Sequence, residues 1–168
     1  MKPIAVFVGP PGAGKSTIAR LVAQSLGVSV RDTDDDIETA AGMSVSDIFV
    51  TRSEAEFREL EVEAVTTALA EHDGVLSLGG GAVMNPATRA ALAGHRVVFL
   101  DVDLTNAVAR VGMNRNRPLL LGNVRTQMKQ LMDARRPFYT EVASLVVDTN
   151  DRRPEDIAAD LVTQLTAE

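Results

Sequence analysis

A chain of 168 residues, 45% hydrophobic and 24% charged, has the size and balance of one globular domain around one core. Its 17 Lys and Arg against 23 Asp and Glu leave a formal charge of −6, which argues against non-specific binding to nucleic acid or to a membrane surface, so any anionic ligand needs a local cluster of cations. With no cysteine there is neither a disulfide framework nor a thiolate metal site, and the opening MKPIAVFVGP is too short an apolar run for a signal peptide or a membrane span, so a cytoplasmic location is expected.

The short apolar run 4–8, stopped by Gly9, reads as a buried strand. Residues 15–26 carry a helical stripe of Ile18, Leu21, Val22, Ala23 and Leu26, with Gly27 as the stop. A second strand is expected over 28–32, then short helices over 35–41 and 44–49. Ser53 with Glu56 three residues later forms a capping box that starts a long helix to about Ala70. The strand 74–78 runs into Gly79-Gly80-Gly81, and Asn85-Pro86 caps a further helix closed by Gly94. VVFLDV over 97–102 is the clearest buried strand, followed by a helix over 103–111. Residues 112–123 have no apolar period and read as a mobile loop. A helix over 125–136 is expected to stop at Pro137; a last strand over 145–147 and a helix from Pro154 complete the chain.

Strands and helices alternate throughout, which implies an α/β domain with a parallel sheet covered on both faces. Ligands of such sheets sit beyond the carboxyl ends of the strands. The stretches GPPGAGKST, DTDDD, SLGGG and DTNDRRP all follow strands and are expected to meet at one edge.

GPPGAGKST, residues 9–17, is built to hold a phosphate chain. Its glycines let the backbone approach phosphate and turn N–H groups inward, and the helix opening at Lys15 adds its positive end. Lys15 would reach the outer phosphates and the Ser16 hydroxyl would ligate Mg²⁺. The motif implies ATP or GTP binding and is silent on the acceptor. Asp32 and Asp34 flank Thr33 past a strand end; in an extended segment both carboxylates would face the nucleotide, one towards a metal shell and one as acceptor of a hydroxyl proton, while the alternative is a helix cap with an acidic first turn. Arg58 and Glu61, three apart on a helix, are either a surface pair or an arginine held for carboxylate binding. Three successive glycines are costly to order unless a ligand lies on bare backbone there. Arg115 and Arg117 lie in the long loop, and Arg135 and Arg136 cannot both face one pocket because adjacent helical residues point about 100° apart. His72 and His95 are expected at the surface, and Tyr139 as filler.

GPPGAGKST, DTDDDIE, DIF, EFRELE, SLGGGAV, NRPLL, the arginine before PFY, and DTNDRRP, in this order, resemble the shikimate kinase family over essentially the full length. The resemblance implies a single-domain, three-layer P-loop kinase fold of the nucleoside-monophosphate-kinase type. Its five-stranded parallel sheet would have the order 2-3-1-4-5, with a phosphate loop over 9–17, a shikimate-binding helical region over about 33–61 and a mobile lid over about 112–124. It implies ATP-dependent, Mg²⁺-assisted phosphorylation of the 3-hydroxyl of shikimate, on the route to aromatic amino acids. The phosphate loop from Gly12 and Ala13 through Gly14, Lys15, Ser16 and Thr17 would hold ATP, with Ser16 and, through water, Asp32 on the metal. Asp34 would bind the shikimate hydroxyls and is the candidate base; Arg58 and Arg136 would clamp the carboxylate, with Gly80 and Gly81 beside the ring. Arg117 would be the lid arginine on the transferred phosphate, and Arg110 with Arg153-Pro154 would enclose adenine. No nucleic-acid or membrane partner is implied, and a monomer is expected.

The chain departs from the family pattern at Ser53 and Ala19, where glycine is usual; neither is a ligand position. The alternatives are a gluconate or nucleotide kinase, against which SLGGG and the paired arginines argue, and an ATP-binding regulatory module without transfer, against which Lys15, Ser16, Asp32, Asp34 and Arg117 argue.

Overall fold

The computed structural model describes residues 2–112 and 123–167. Five parallel strands run β1 (Ala5–Val8), β2 (Val30–Asp32), β3 (Val75–Ser77), β4 (Val97–Asp101) and β5 (Leu145–Asp148), in the order β2-β3-β1-β4-β5. The helices are α1 (Lys15–Leu26), α2 (Thr33–Ala41), α3 (Val45–Thr51), α4 (Glu54–Glu71), α5 (Pro86–Ala91), α6 (Leu104–Gly112), α7 (Val124–Val142) and α8 (Pro154–Thr166), with a 3₁₀ turn over Ala82–Met84.

Alternation along the strands sorts the core into two layers, because successive strand side chains leave on opposite faces. Ala5 and Phe7 of β1 join Val98, Leu100, Ile18, Val22 and Leu161 on one face. Val6 and Val8 join Leu76, Phe99, Val65 and Tyr139 on the other. A third, smaller cluster of Ile37, Ile48 and Phe57 holds α2, α3 and α4 together beside the sheet.

The ends of the helices follow local chemistry. Ser53 accepts the Glu56 N–H at 3.1 Å, so the serine half of the capping box forms and α4 starts there. Gly27 adopts a left-handed conformation and stops α1.

Two expectations change. The helix expected to stop at Pro137 continues through it to Val142. Burial of Tyr139, with Phe138 and Val142 packed behind it, outweighs the backbone bond that proline forfeits. His72 is buried rather than superficial, its ring Nε2 3.0 Å from the Val75 carbonyl oxygen. The region expected to be a lid lies almost wholly outside the described residues, and with it Arg115 and Arg117; Asn123 and Val124, its last two positions, cap and open α7.

Candidate active site

The ends of β1, β2 and β3 open into a cavity of about 340 Å³ whose walls include Gly12, Gly14, Lys15, Ser16, Thr17, Asp32, Asp34, Gly79, Gly80 and Arg110. Ala13 is buried under the loop rather than on its surface. Gly12 has φ 85°, and a Cβ on it would stand 2.8 Å from the Ala107 carbonyl oxygen, so neither backbone nor space tolerates a side chain. Gly14 caps α1 with no side-chain acceptor, which leaves the helix N–H groups facing the cavity. The Lys15 ammonium donates to the Gly9 and Pro10 carbonyls at 2.7 and 3.3 Å.

Asp32 and Asp34 converge on this cavity by a different route from the one expected. Thr33 already begins α2, so the pair is not in an extended segment. Asp32 is the N-cap and accepts the Asp34 N–H at 2.8 Å; Asp34 lies in the first turn. Burial pushes the Asp32 carboxyl up to about 6, only partly offset by that N–H. Thr33, fully buried, accepts the Gly79 N–H at 3.3 Å and so ties α2 to the glycine run.

The glycine run is crowded by charged groups. A Cβ on Gly79 would lie 2.6 Å from Asp34 Oδ1 and 3.2 Å from Glu61 Oε2. One on Gly81 would lie 2.8 and 2.9 Å from the two terminal nitrogens of Arg58, and 3.1 Å from Arg135 Nη2. Only bare backbone fits between these side chains. Arg58 donates to Glu61 Oε1 at 2.7 Å. Glu61 is 2% exposed; burial pushes its carboxyl up while the Arg58 and Arg135 guanidiniums pull it down. The pair is therefore a built support for Arg58 and not a surface ion pair.

The second arginine is a correction. Arg135 is half-buried against Gly80 and Gly81, whereas Arg136 points away and donates twice to Asp101, at 2.8 and 2.6 Å. One step along α7 rotates the side chain by about 100°, and the helix phase, set by Tyr139 in the core, gives the inward position to Arg135.

On the nucleotide side Arg110 donates to the Gly12 carbonyl at 3.0 Å and to the Thr149 carbonyl at 2.8 Å, which joins the segment after β5 to the phosphate loop. The four stretches do meet at one edge. Arg153, by contrast, has a side chain 76% exposed and 3.6 Å from Glu155, and Pro154 is exposed at the start of α8; neither lines the cavity.

A sequence model of the family described as "Shikimate kinase" matches residues 11–166. The chain belongs to the shikimate kinase family. A shikimate kinase of Streptomyces avermitilis is 58% identical over 93% of this chain and 91% of its own length. One of Salinispora arenicola is 52% identical over 99% of this chain and 100% of its own. Among solved structures, the shikimate kinase from Acinetobacter baumannii in complex with shikimate superposes with a TM-score of 0.92 at 31% identity, covering 99% of this chain and 94% of that one.

As a shikimate kinase the chain uses ATP, and therefore a metal ion with it. Among the described residues no cluster of three or more His, Asp or Glu forms a ready-made metal cage. The residues present still fit an ion held largely by phosphate and water. Asp32 and Ser77 are register partners on β2 and β3, and the buried Ser77 hydroxyl, on the same cavity, has no hydrogen-bond partner. Sequence reasoning gave no role to Thr33 and Ser77, set Arg135 aside for Arg136 and took Tyr139 for filler; with the helix expected to stop at Pro137, the one-turn spacing of Arg135 and Tyr139 carried no signal.

Proposed function

We propose that the cavity holds the terminal phosphoryl group of ATP against the 3-hydroxyl of shikimate, in an enzyme whose reaction is the ATP-dependent phosphorylation of that acid. The observation that carries this reading is the placement of Asp34 against Gly79 and of Arg58 and Arg135 against Gly81, with Gly80 directly beside the phosphate loop. A small polyhydroxylated carboxylate needs both: an acceptor for hydroxyl protons and paired guanidiniums for the acid.

In this reading the N–H groups of the phosphate loop and the Lys15 ammonium hold the β- and γ-phosphates. Asp34 accepts the hydrogen bond of the attacking hydroxyl, orients it and takes its proton as the bond to phosphorus forms. Arg58, braced by Glu61, and Arg135 hold the carboxylate and so fix the ring. Ser16 and, through water, Asp32 and Ser77 are the groups that would hold Mg²⁺. Bound there, the ion would neutralise charge on the phosphates. Arg110 stands on the nucleotide side; Arg117, outside the described residues, is assigned to the transferred phosphate on the family resemblance alone. Excluding water matters because water is the competing acceptor. No described helix is long and apolar enough to cross a membrane, and we assign the enzyme to the cytoplasm as a monomer.

Release of ADP from the purified protein with MgATP tests this, with shikimate compared against gluconate, AMP and no acceptor. Release that depends on shikimate is expected. Release with AMP instead would overturn the carboxylate site, release with gluconate would keep that site and overturn shikimate as its acid, and ATP binding without release would leave a regulatory module.

A further inference from the structure

Arg135 reaches the glycine run from a helix surface, where a long side chain has many rotamers to lose on ordering. Tyr139 lies one helical turn further along α7. Its side chain is 1% exposed, and its ring packs on Phe99 with centroids 5.1 Å apart. Its hydroxyl donates to the Gly80 carbonyl at 2.5 Å; the Arg135 guanidinium, whose Nη1 would stand 3.1 Å from a Cβ on Gly80, pulls the phenol's pKa down against its burial. Burial pushes the phenol up to about 12, so it remains a donor across the working pH range. One buried hydroxyl thus holds the backbone the ring would lie on, beside the cation its carboxylate would meet.

We propose that Tyr139 is a positioning residue for the acid-binding half of the site, its hydroxyl holding the Gly80 carbonyl in fixed relation to the neighbouring Arg135 guanidinium before substrate arrives. This rests on the reading of Arg135 as a carboxylate ligand. The phenyl ring serves the core; the hydroxyl serves the site. Without it the Gly80 carbonyl and Arg135 keep their chemistry and lose their mutual register, a loss paid at shikimate binding.

Tyr139→Phe keeps the ring and removes only the hydroxyl. We expect the KM for shikimate to rise about tenfold, with kcat and the KM for ATP within about twofold of the parent. A second readout uses the parent protein. Tyr139 is the single tyrosine of a chain without tryptophan, so intrinsic emission beyond that of phenylalanine comes from this one side chain. Shikimate added without nucleotide is expected to change that emission saturably. An unchanged KM for shikimate in Tyr139→Phe, while Arg135→Ala raises it, overturns the role of Tyr139 alone. No effect in Arg135→Ala removes the underlying reading and this inference with it. Equal loss for both substrates, or emission unmoved at saturating shikimate, reduces Tyr139 to a packing residue.

Discussion

The two halves of the site are built on opposite principles. The phosphate half is nine contiguous residues, 9–17, that run from the end of β1 into α1 and would bind mainly through backbone N–H groups. The proposed acid half is collected from α4, the turn after β3 and α7, and its side chains rely on buried partners: Arg58 on Glu61 and, by the inference above, Arg135 on Tyr139. A backbone site tolerates exchange of many side chains but not of its glycines. A side-chain site tolerates backbone variation but fails when a supporting partner is lost. Asp32, Thr33 and Asp34 form the seam, since α2 begins at the cavity and bonds to the glycine run.

The comparison predicts that the acid half can be disabled while the nucleotide half stays intact. Asp34→Asn should lower kcat by about 10²–10³-fold, the usual scale for a lost proton acceptor, with ATP affinity nearly unchanged by titration calorimetry. Near-parental turnover would remove Asp34 from the chemistry.

Neighbouring arginines sharpen the comparison. Arg135→Ala should raise the KM for shikimate about 10–100-fold, the value of a charge-assisted contact to a carboxylate. Arg136→Ala should change it by no more than about threefold, because it removes a half-exposed pair with Asp101, a kind worth about 1 kcal/mol or less. Steady-state kinetics on both variants decides it, and reversed effects would mean that the phase of α7 is wrong.

The smallest effect lies at the seam. Burial holds the folded-state Asp32 carboxyl near 6, above its ordinary 3.8, so the folded chain binds that proton more tightly than the unfolded one. Stability without nucleotide and metal should therefore fall as pH rises from about 4 through about 6, and the full cost should be present at pH 7.5. Asp32→Asn keeps a capping side chain and removes the charge. By thermal melts in chelator it should be more stable than the parent at pH 7.5 by about 1–2 kcal/mol, after allowing for solvent screening of a partly exposed group. The advantage should vanish near pH 4. An equal difference at both pH values would show that the cap, and not the buried charge, is responsible.

Legibility followed the same division. The phosphate loop and the cap at Ser53 were readable because each rests on residues close in sequence, whereas the strand order came only with the family resemblance. Pro137 misled, since a local rule predicted a stop where the burial of Tyr139 carries the helix on. Tyr139 looked like ordinary filler, and Thr33 drew no role of its own, because their partners, Gly80 and Gly79, are far away along the chain.

With the acid implied only by the family resemblance, the sequence by itself determined an α/β domain and a nucleotide loop at a strand end. These follow from periodicity, from glycine and from motif spacing, which act over a few residues. Only the tertiary structure decided which of two adjacent arginines faces the glycine run and which buried groups brace it. The phase of a helix is set by what it packs against, and on α7 that is the layer of the core containing Phe99 and Tyr139.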